Sequence, residues 1–375
     1  PGFVETPIVE KQIADQARTH GISKERVLDE VILKKQPTKR FVTTDELAGI
    51  YLYLVSDLGA SANGACFSID GGVISSGVIR EIGRLLPGAE ITVACGRPPA
   101  PLFRAAPGVE RVIILDKKKL AGHWFALWGQ VRGTTWDMVV DIRGSALAYA
   151  LKARDRRIYN RRWETGLRKV EMVSRLMGSE TPLAPEIFLD DQARTEAAAV
   201  IDPQLHGGAG PGPILALAPI AHQPGKSWPA DRWGSLVERL KAEPRFKGWR
   251  FMPVGGPGDR PPATPALEAA GSRGIDFVGK GDILASAAAI DRAALFVGND
   301  SGLMHVAAAA GRPTLGLFGP TEWWLYGPWG PKTATVASNE TRGQFAPIED
   351  LKVDHVFDAV IALHDRYAVP GARPA

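Results

Sequence analysis

The sequence predicts an α/β protein with parallel sheets, built from two halves of similar design. From about residue 66 onward, short apolar runs alternate with helical patterns, which is typical of repeated βα units. A Gly- and Pro-rich stretch at 204–213, QLHGGAGPGP, separates these runs into two groups and indicates a linker. Two charged helical patterns precede all of them, so we also expect an N-terminal helical extension.

The candidate strands follow in chain order. In the first half they are ACFSI, ITVAC, VERVIIL and WDMVVDI, and in the second half ILALAPI, RFMPVGG, DFVG, ALFVGND and PTLGLFG. HVFDAVIALHDRY predicts a closing helix before a frayed tail. We therefore expect a helical segment at 1–65, α/β domains at 66–203 and 204–345, and a closing helix with a tail at 346–375.

Composition narrows the class of protein. The apolar fraction of 45% and the charged fraction of 23% over 375 residues are those of a globular chain. Cys66 and Cys95 cannot form a disulfide framework and have no zinc-site spacing, which favours a reducing cytoplasm. No apolar run reaches the roughly 18 residues that span a bilayer, and the first residues lack a signal-peptide pattern. We expect a cytoplasmic protein that touches a membrane at most peripherally.

Basic residues gather in two places although the formal net charge is only +4. One is KKK at 117–119, and the other comprises KARDRR and RR between 152 and 162. Such runs form either a solvated face or a surface that receives an anionic partner, and the sequence leaves both open.

The stretch FVGNDSGLMHVAAAAGRPTLGLFGPT at 296–321 has the clearest candidate chemistry. A buried-strand pattern ends at Asp300, and a helix follows whose first turn would offer unpaired backbone N–H groups to a phosphate. Gly302 would let the phosphate approach, while Ser301 and His305 would add donors. Asp300 would cap the helix or hold a sugar hydroxyl. Alternatively, Asp300 and Ser301 only cap the helix and His305 is a core residue.

Two further loops of the second half hold candidate residues. AHQPGKSWPADRW places Lys226 after a strand, where it would neutralise an anionic ligand or would simply be solvated. Gly255 and Gly256 follow RFMPV and form either a loop that lets a ligand approach or a plain turn. The aromatic loop GPTEWWLYGPWGP at 319–331 would stack on a sugar or base or would pack at a domain seam.

The first half offers one polar pair at a strand end. Asp141 and Arg143 close WDMVVDI, and ligands of parallel sheets gather at the carboxyl ends of strands. We expect either contact with an acceptor or a structural Asp–Arg pair.

Residues 1–72 resemble the C-terminal end of short-chain dehydrogenases, most closely the 3-hydroxybutyrate dehydrogenases. The matching pieces are PGFVETPIVEKQI, KQPTKRFVTTDELA and LVSDLGASANGACFSIDGG. The resemblance implies that Pro1, Gly2 and Thr6 would lie near a nicotinamide. The catalytic Tyr-x-x-x-Lys pair and the Gly-x-x-x-Gly-x-Gly fingerprint of that family occur nowhere in the 375 residues, so a dehydrogenase is only a remote alternative.

Residues 73–368 resemble glycosyltransferase family 9, the heptosyltransferases of lipopolysaccharide core assembly. The resemblance rests on VISSGVIREIGRLLPGAEITVACG, APLFRAAPGVERVIILDK, PGKSWPADRWGSLVERL and the D-S-G-x-x-H and LFGPT motifs of 296–321. It implies a GT-B fold, in which two Rossmann-like domains face a cleft, and inverting sugar transfer without a metal or cofactor. The donor would be ADP-heptose and the acceptor an anionic, membrane-held lipopolysaccharide core; no nucleic-acid partner is implied. Lys226 would stabilise the diphosphate leaving group, and Gly255 and Gly256 would approach the nucleotide base.

The join between the two resemblances affects the catalytic base. The family places a carboxylate in its first strand–helix turn, and aligning on Ser75, Ser76 and Gly77 puts Gly71 at that position. Asp70 stands one residue earlier and is either a candidate base or a turn-forming Asp. The sequence therefore indicates a gene fusion, a recombination product or a gene-prediction artefact. A catalytically impaired protein that binds nucleotide-sugar without turnover is the alternative hypothesis.

Overall fold

The computed structural model describes residues 13, 17–18, 22–27, 71–116, 122–160, 166–207 and 210–367. Within the N-terminal extension it gives one helical turn, Lys24–Val27. The expected strand ACFSI, Asp70, the lysines at 117–119 and the basic residues at 161–162 lie outside the described residues.

The N-terminal half, residues 71–189, contains two parallel strand pairs among its described residues. β1 (Ile91–Cys95) pairs with β2 (Val109–Ile114), and β3 (Thr135–Asp141) pairs with β4 (Lys152–Ile158). The helices of this half are α1 (Gly71–Ile74), α2 (Gly77–Leu85), α3 (Gly122–Val131) and α4 (Lys169–Met177).

The C-terminal half, residues 190–367, is built on a six-stranded parallel sheet. Its strands are β5 (Ile214–Ala218), β6 (Arg250–Gly255), β7 (Phe277–Val278), β8 (Leu295–Asn299), β9 (Thr314–Phe318) and β10 (Thr333–Ala337), in the order β10-β9-β8-β5-β6-β7. The helices are α5 (Asp191–His206), α6 (Ala230–Ala242), α7 (Arg260–Ala270), α8 (Ile283–Asp291), α9 (Gly302–Ala309), α10 (Trp323–Tyr326) and α11 (Val353–Tyr367).

The central strands of this sheet are apolar throughout because helices cover both faces. Ala216 and Ala218 of β5 belong to one buried cluster, whereas Leu215 and Leu217 belong to the cluster on the opposite face. Successive side chains of a strand point to opposite faces, so every position of such a strand is buried. This explains why ILALAPI and ALFVGND read as continuous apolar runs. The closing helix predicted from HVFDAVIALHDRY is found as α11.

Helix α5 packs with the C-terminal half. Ala193, Ala197 and Ile201, spaced four residues apart, are fully buried in the cluster that includes α8. The helix continues to His206, so the first residues of the expected linker are helical. Val73 and Leu102 of the N-terminal half join the same cluster, so the halves share part of their core. The domain boundaries at 203/204 and 345/346 stay a prediction.

Two strands were not predicted from the sequence. β4 runs through the basic stretch KARDRRI, and its exposed Lys152, Arg154 and Arg156 alternate with less exposed side chains. β10, TATVA, lies at the edge of the large sheet and buries only its last two side chains. The alternation of apolar and polar residues that marks a strand is not visible in β4, because most of its residues are charged and one face is exposed.

Arg104 links the starts of two helices of the C-terminal half. Its Nε donates to Asp190 at 2.7 Å and its Nη1 to Asp282 at 3.2 Å. Asp190 is the N-cap of α5 and accepts from the Ala193 N–H at 2.7 Å, while Asp282 caps α8 through two backbone N–H groups. The bond from Arg104 is the main reason that the pKa of Asp190 lies below its usual range.

We expect Asp190→Ala to lower the free energy of unfolding by about 1–2 kcal/mol at pH 7, because it removes a helix N-cap. Asp190 has a depressed pKa, so its contribution is present above the unfolded-state pKa of about 4 and is lost as pH falls through the folded-state value. Denaturant unfolding across this pH range is the measurement. Asp190→Asn retains a capping oxygen and is the control; an equal loss in both variants would contradict the capping role.

Candidate functional site

The candidate site lies where the order of the large sheet reverses. From β5 the chain moves outward to β6 and β7, then returns to β8 on the other side of β5. Ligands of open parallel sheets bind outside the carboxyl ends of strands at such a switch point. The loop after β5 carries Lys226, and Asp300 directly follows β8. The topology thus brings together two residues that the sequence separates widely.

The loop that carries Lys226 is held by its own hydrogen bonds. Gly225 has a φ of +76°, a conformation that other residues adopt only with strain. The Ser227 hydroxyl accepts from the Ala221 N–H at 3.0 Å and donates to the Ala221 carbonyl at 2.9 Å. The Trp228 N–H donates to Asn299 Oδ1 at 3.1 Å, which ties the loop to the end of β8. Lys226 is therefore presented from a fixed backbone.

Lys226 and Asp300 form a largely buried ion pair. Lys226 Nζ lies 2.7 Å from Asp300 Oδ2, and the two side chains are 14% and 3% exposed. Thr321 Oγ1 donates to the same oxygen at 2.9 Å. Within the described residues, Asp300 Oδ1 makes no hydrogen bond. Asp300 therefore positions the lysine through one oxygen while the other can accept from a ligand.

Ser301, not Asp300, is the N-cap residue of α9. Its side chain makes no capping bond, and its Oγ is buried without a hydrogen-bond partner in the described part of the chain. The first backbone N–H groups of a helix have no intrahelical partner, and they give its N-terminus a partial positive charge. The start of α9 thus combines free donors with the nearby Lys226 ammonium, which suits an anion.

His305 lies one turn into α9, where the two halves meet. It is 4% exposed and lines a cavity with residues of α1, α4 and the aromatic loop. Arg168, just before α4, donates from Nη2 to the Gly327 and Pro328 carbonyls at 2.7 and 2.9 Å and stacks on Trp329. Burial lowers the pKa of Arg168. Trp329 thus packs at the seam between the halves, one of the two alternatives for the aromatic loop.

Gly255 and Gly256 wrap a buried carboxylate. The Gly256 N–H donates to Asp259 Oδ2 at 2.7 Å, and a Cβ at Gly255 would lie 2.9 Å from the Asp259 Cβ. On the other side, His222 Nε2 lies 3.7 Å from Asp259 Oδ1. Glycine is needed in this close turn, because a side chain at Gly255 would clash with Asp259. The turn places the Asp259 carboxylate after the carboxyl end of β6, the strand beside β5.

Asp141 fixes its own loop. Its two oxygens accept from the backbone N–H groups of Arg143, Gly144 and Ser145 and from the Ser145 hydroxyl, at 2.6–3.1 Å. The carboxylate is thus occupied by a turn, as in an Asx motif. The Arg143 side chain is exposed and lies close enough to Cys95 to influence its pKa. Contact of Asp141 or Arg143 with an acceptor stays a prediction.

Burial raises the pKa of the Cys95 thiol to about 11, against a smaller opposing effect of Arg143. We expect Cys95 to alkylate slowly near neutral pH, because the thiolate is the reactive form. Since the folded-state pKa is raised, its contribution to stability is present below pH 9 and is lost as pH rises toward 11. Iodoacetamide labelling of a Cys66→Ser variant from neutral to alkaline pH measures this, and fast labelling at pH 7 would contradict it.

Three further expectations concern the catalytic base, a metal site and a membrane-spanning helix. Asp70, the candidate base, lies outside them. The residues that are described contain no group of three or more His, Cys, Asp or Glu able to hold a metal ion. They also contain no helix long and apolar enough to span a membrane.

Sequence reasoning missed four residues of this site. Thr321 and Asn299 lie inside the motif stretch and bond to Asp300 and to the Lys226 loop, respectively. Asp259 follows the two glycines by three residues, a spacing typical of a side chain that bonds back to its own turn. Arg168 gave no signal, because its partners are backbone carbonyls about 160 residues away.

Comparison with protein families identifies the class of protein. The family model described as "Glycosyltransferase family 9 (heptosyltransferase)" matches residues 142–349, more than half of the chain. The chain belongs to this family of transferases.

Two solved structures share the fold. The glycosyl transferase family 9 protein from Veillonella parvula DSM 2008 superposes with a TM-score of 0.67 at 19% identity, covering 80% of this chain and 95% of its own. The E. coli ADP-heptose lps heptosyltransferase II gives a TM-score of 0.61, also at 19% identity, covering 80% and 97%. The predicted GT-B fold is thereby confirmed.

The N-terminal segment is similar to a different family. A second family model, described as "Enoyl-(Acyl carrier protein) reductase", matches residues 6–74. D-beta-hydroxybutyrate dehydrogenase of Rhizobium meliloti (strain 1021) is 56% identical over 72 residues. That match covers 19% of this chain and spans only 28% of the dehydrogenase. The predicted resemblance to two families in one chain is confirmed.

Proposed function

We propose that the protein transfers a heptose from ADP-heptose to a lipopolysaccharide core acceptor and inverts the anomeric carbon. The observation that carries the proposal is the Lys226–Asp300 pair beside the start of α9, at the switch point of the sheet. Membership of a heptosyltransferase family supports the sugar. The name of a protein with the same fold, which mentions ADP-heptose and lps, supports the donor and the acceptor.

The proposed chemistry places the departing diphosphate between Lys226 and α9. The acceptor hydroxyl oxygen bonds to the anomeric carbon while the bond from that carbon to the phosphate oxygen breaks. ADP leaves with the electron pair, and the acceptor proton passes to a base, for which Asp70 is the candidate. The Lys226 ammonium and the first N–H groups of α9 would offset the growing negative charge, with Ser301, Gly302 and His305 completing the donor site.

The remaining site residues would orient the donor. Asp300 Oδ1 is placed to accept from a sugar hydroxyl, since Oδ2 is taken by Lys226 and Thr321. Gly255 and Gly256 would lie against the nucleoside, because their turn follows the strand beside β5. The nucleotide-sugar would be a substrate, and this chemistry requires neither a metal nor another cofactor. The cytoplasmic location stays a prediction.

The decisive experiment mixes purified protein with ADP-heptose and a deep-truncated lipopolysaccharide and follows ADP release. We expect release that depends on the acceptor. Absence of release, while ADP still raises the melting temperature, would overturn the proposal in favour of an impaired fusion that binds nucleotide-sugar. UDP-glucose in place of ADP-heptose is the control for donor selectivity.

A further inference from the structure

Helix α3 of the N-terminal half exposes aromatic side chains on the face that points away from its core. Leu127 and Val131 are buried against β2 and β3, whereas Phe125 is 71% exposed and Trp128 is 37% exposed. Positions three apart lie on one face of a helix, so the two rings share a surface. Aromatic side chains grouped in this way on a globular protein mark an interaction site.

A cationic side chain borders the two rings. The Arg132 guanidinium lies 4.7 Å from the centre of the Trp128 ring. Arg111 of β2 donates from Nη2 to Gln130 Oε1 at 2.7 Å, but Gln130 is two positions from Trp128, so this arginine lies on the other flank of the helix. Both arginines are exposed. The patch therefore combines apolar rings with positive charge.

Neighbouring residues add further aromatic and basic side chains. Tyr149, 72% exposed, lies on the 146–150 turn, and Leu147 of that turn packs in the same cluster as Leu127. In the sequence, residues 117–136 include three lysines and one arginine and no acidic residue. Asp116 and Asp137 bound this stretch; they pair with Arg97 and Arg154, which offsets part of their repulsion of an anionic partner.

We propose that this patch, defined by Phe125, Trp128 and Arg132, docks the protein on an anionic phospholipid surface. Tryptophan and other amphipathic rings prefer the membrane–water interface, and arginines are attracted to acidic headgroups. A helix that places both on one face suits a flat charged layer. The biological role of this docking rests on the proposed function, because the proposed acceptor is held at a lipid surface.

Vesicle co-sedimentation of the full chain tests the proposal. We expect the protein to bind vesicles that contain phosphatidylglycerol and to bind pure phosphatidylcholine vesicles several-fold more weakly. Phe125→Gln combined with Trp128→Gln should reduce the binding at least several-fold, because the rings no longer enter the interface. Phe345→Gln, which replaces an exposed aromatic residue of the C-terminal half, is the matched control and should bind as the unchanged protein does.

Charge is tested separately. Arg132→Glu should reduce the salt-sensitive part of the binding, because headgroup attraction is screened by salt. Lys247→Glu, a charge reversal at an exposed site of the C-terminal half, should retain it. Unfolding curves of all variants, measured without vesicles, show whether each is folded.

Three outcomes would overturn the proposal. The first is no binding of the unchanged protein to acidic vesicles. The second is equal binding by the double glutamine variant and the unchanged protein. The third is self-association in sedimentation velocity that the same substitutions abolish without any vesicle binding, which would make the patch an interface between two copies. Vesicle binding needs no turnover, so a protein that docks but releases no ADP would refute the proposed function alone.

Discussion

Lys226→Ala is expected to lower kcat by about 10²–10³-fold while changing KM much less. Lys226 Nζ is fixed 2.7 Å from Asp300 on a rigid loop, so in the proposed function its charge offsets the leaving diphosphate without reorganisation. Loss of a group that acts mainly in the transition state appears in kcat. Acceptor-dependent ADP release measured over a range of ADP-heptose concentrations separates the two constants.

The same substitution leaves Asp300 nearly buried without its cation. Removing one partner of a buried pair costs about 3–5 kcal/mol of stability, so activity must be related to the folded fraction. Lys247→Ala, at an exposed site, is the matched control and should retain full turnover. Unchanged kcat in folded Lys226→Ala protein would remove the lysine from the mechanism.

Trp228→Ala is expected to lower the free energy of unfolding by about 3–5 kcal/mol, as for large aromatic residues in a core. Trp228 is 1% exposed and packs edge-on against Trp233, with ring centres 5.3 Å apart. Its Nε1 donates to the Leu351 carbonyl at 2.7 Å. The backbone N–H of Trp228, which alanine retains, still holds the Lys226 loop to Asn299, so turnover per folded molecule should change much less than stability.

Denaturant unfolding midpoints with unchanged m-values measure this stability effect. Trp228→Phe should lose far less, because it keeps most of the ring volume and the Leu351 carbonyl still accepts from Arg232 at 2.7 Å. Trp128→Ala, a truncation at a partly exposed position, should also have little effect in the absence of lipid. A loss in Trp228→Ala no larger than in Trp128→Ala would contradict the anchoring role.

The sequence predicted the fold well where burial gave a simple pattern. ITVAC is found unchanged as β1, and ILALAPI and ALFVGND contain β5 and β8. β4 was missed because its charged residues lie on a solvent-exposed face, so its sequence lacks the apolar pattern of a buried strand. Local pattern thus predicts buried strands and fails where a strand depends on pairing with β3 for its stability.

The candidate site was predictable in its parts but not in its connections. Lys226 and Asp300 each follow a recognisable strand, so both could be named from the sequence. Their direct pairing depends on β5 and β8 being neighbours, which is a property of strand order and leaves no local mark. The same holds for Thr321, which reaches Asp300 from the end of β9.

The contact that Arg104 makes between the two halves should depend on ionic strength. Any rotation that carries it away from the starts of both α5 and α8 must separate its guanidinium from Asp190 and Asp282. These side chains are about one-third exposed, so dissolved ions weaken their attraction. Salt should therefore loosen this contact between the halves, and scattering measurements at low and high salt would show it as a change in radius of gyration.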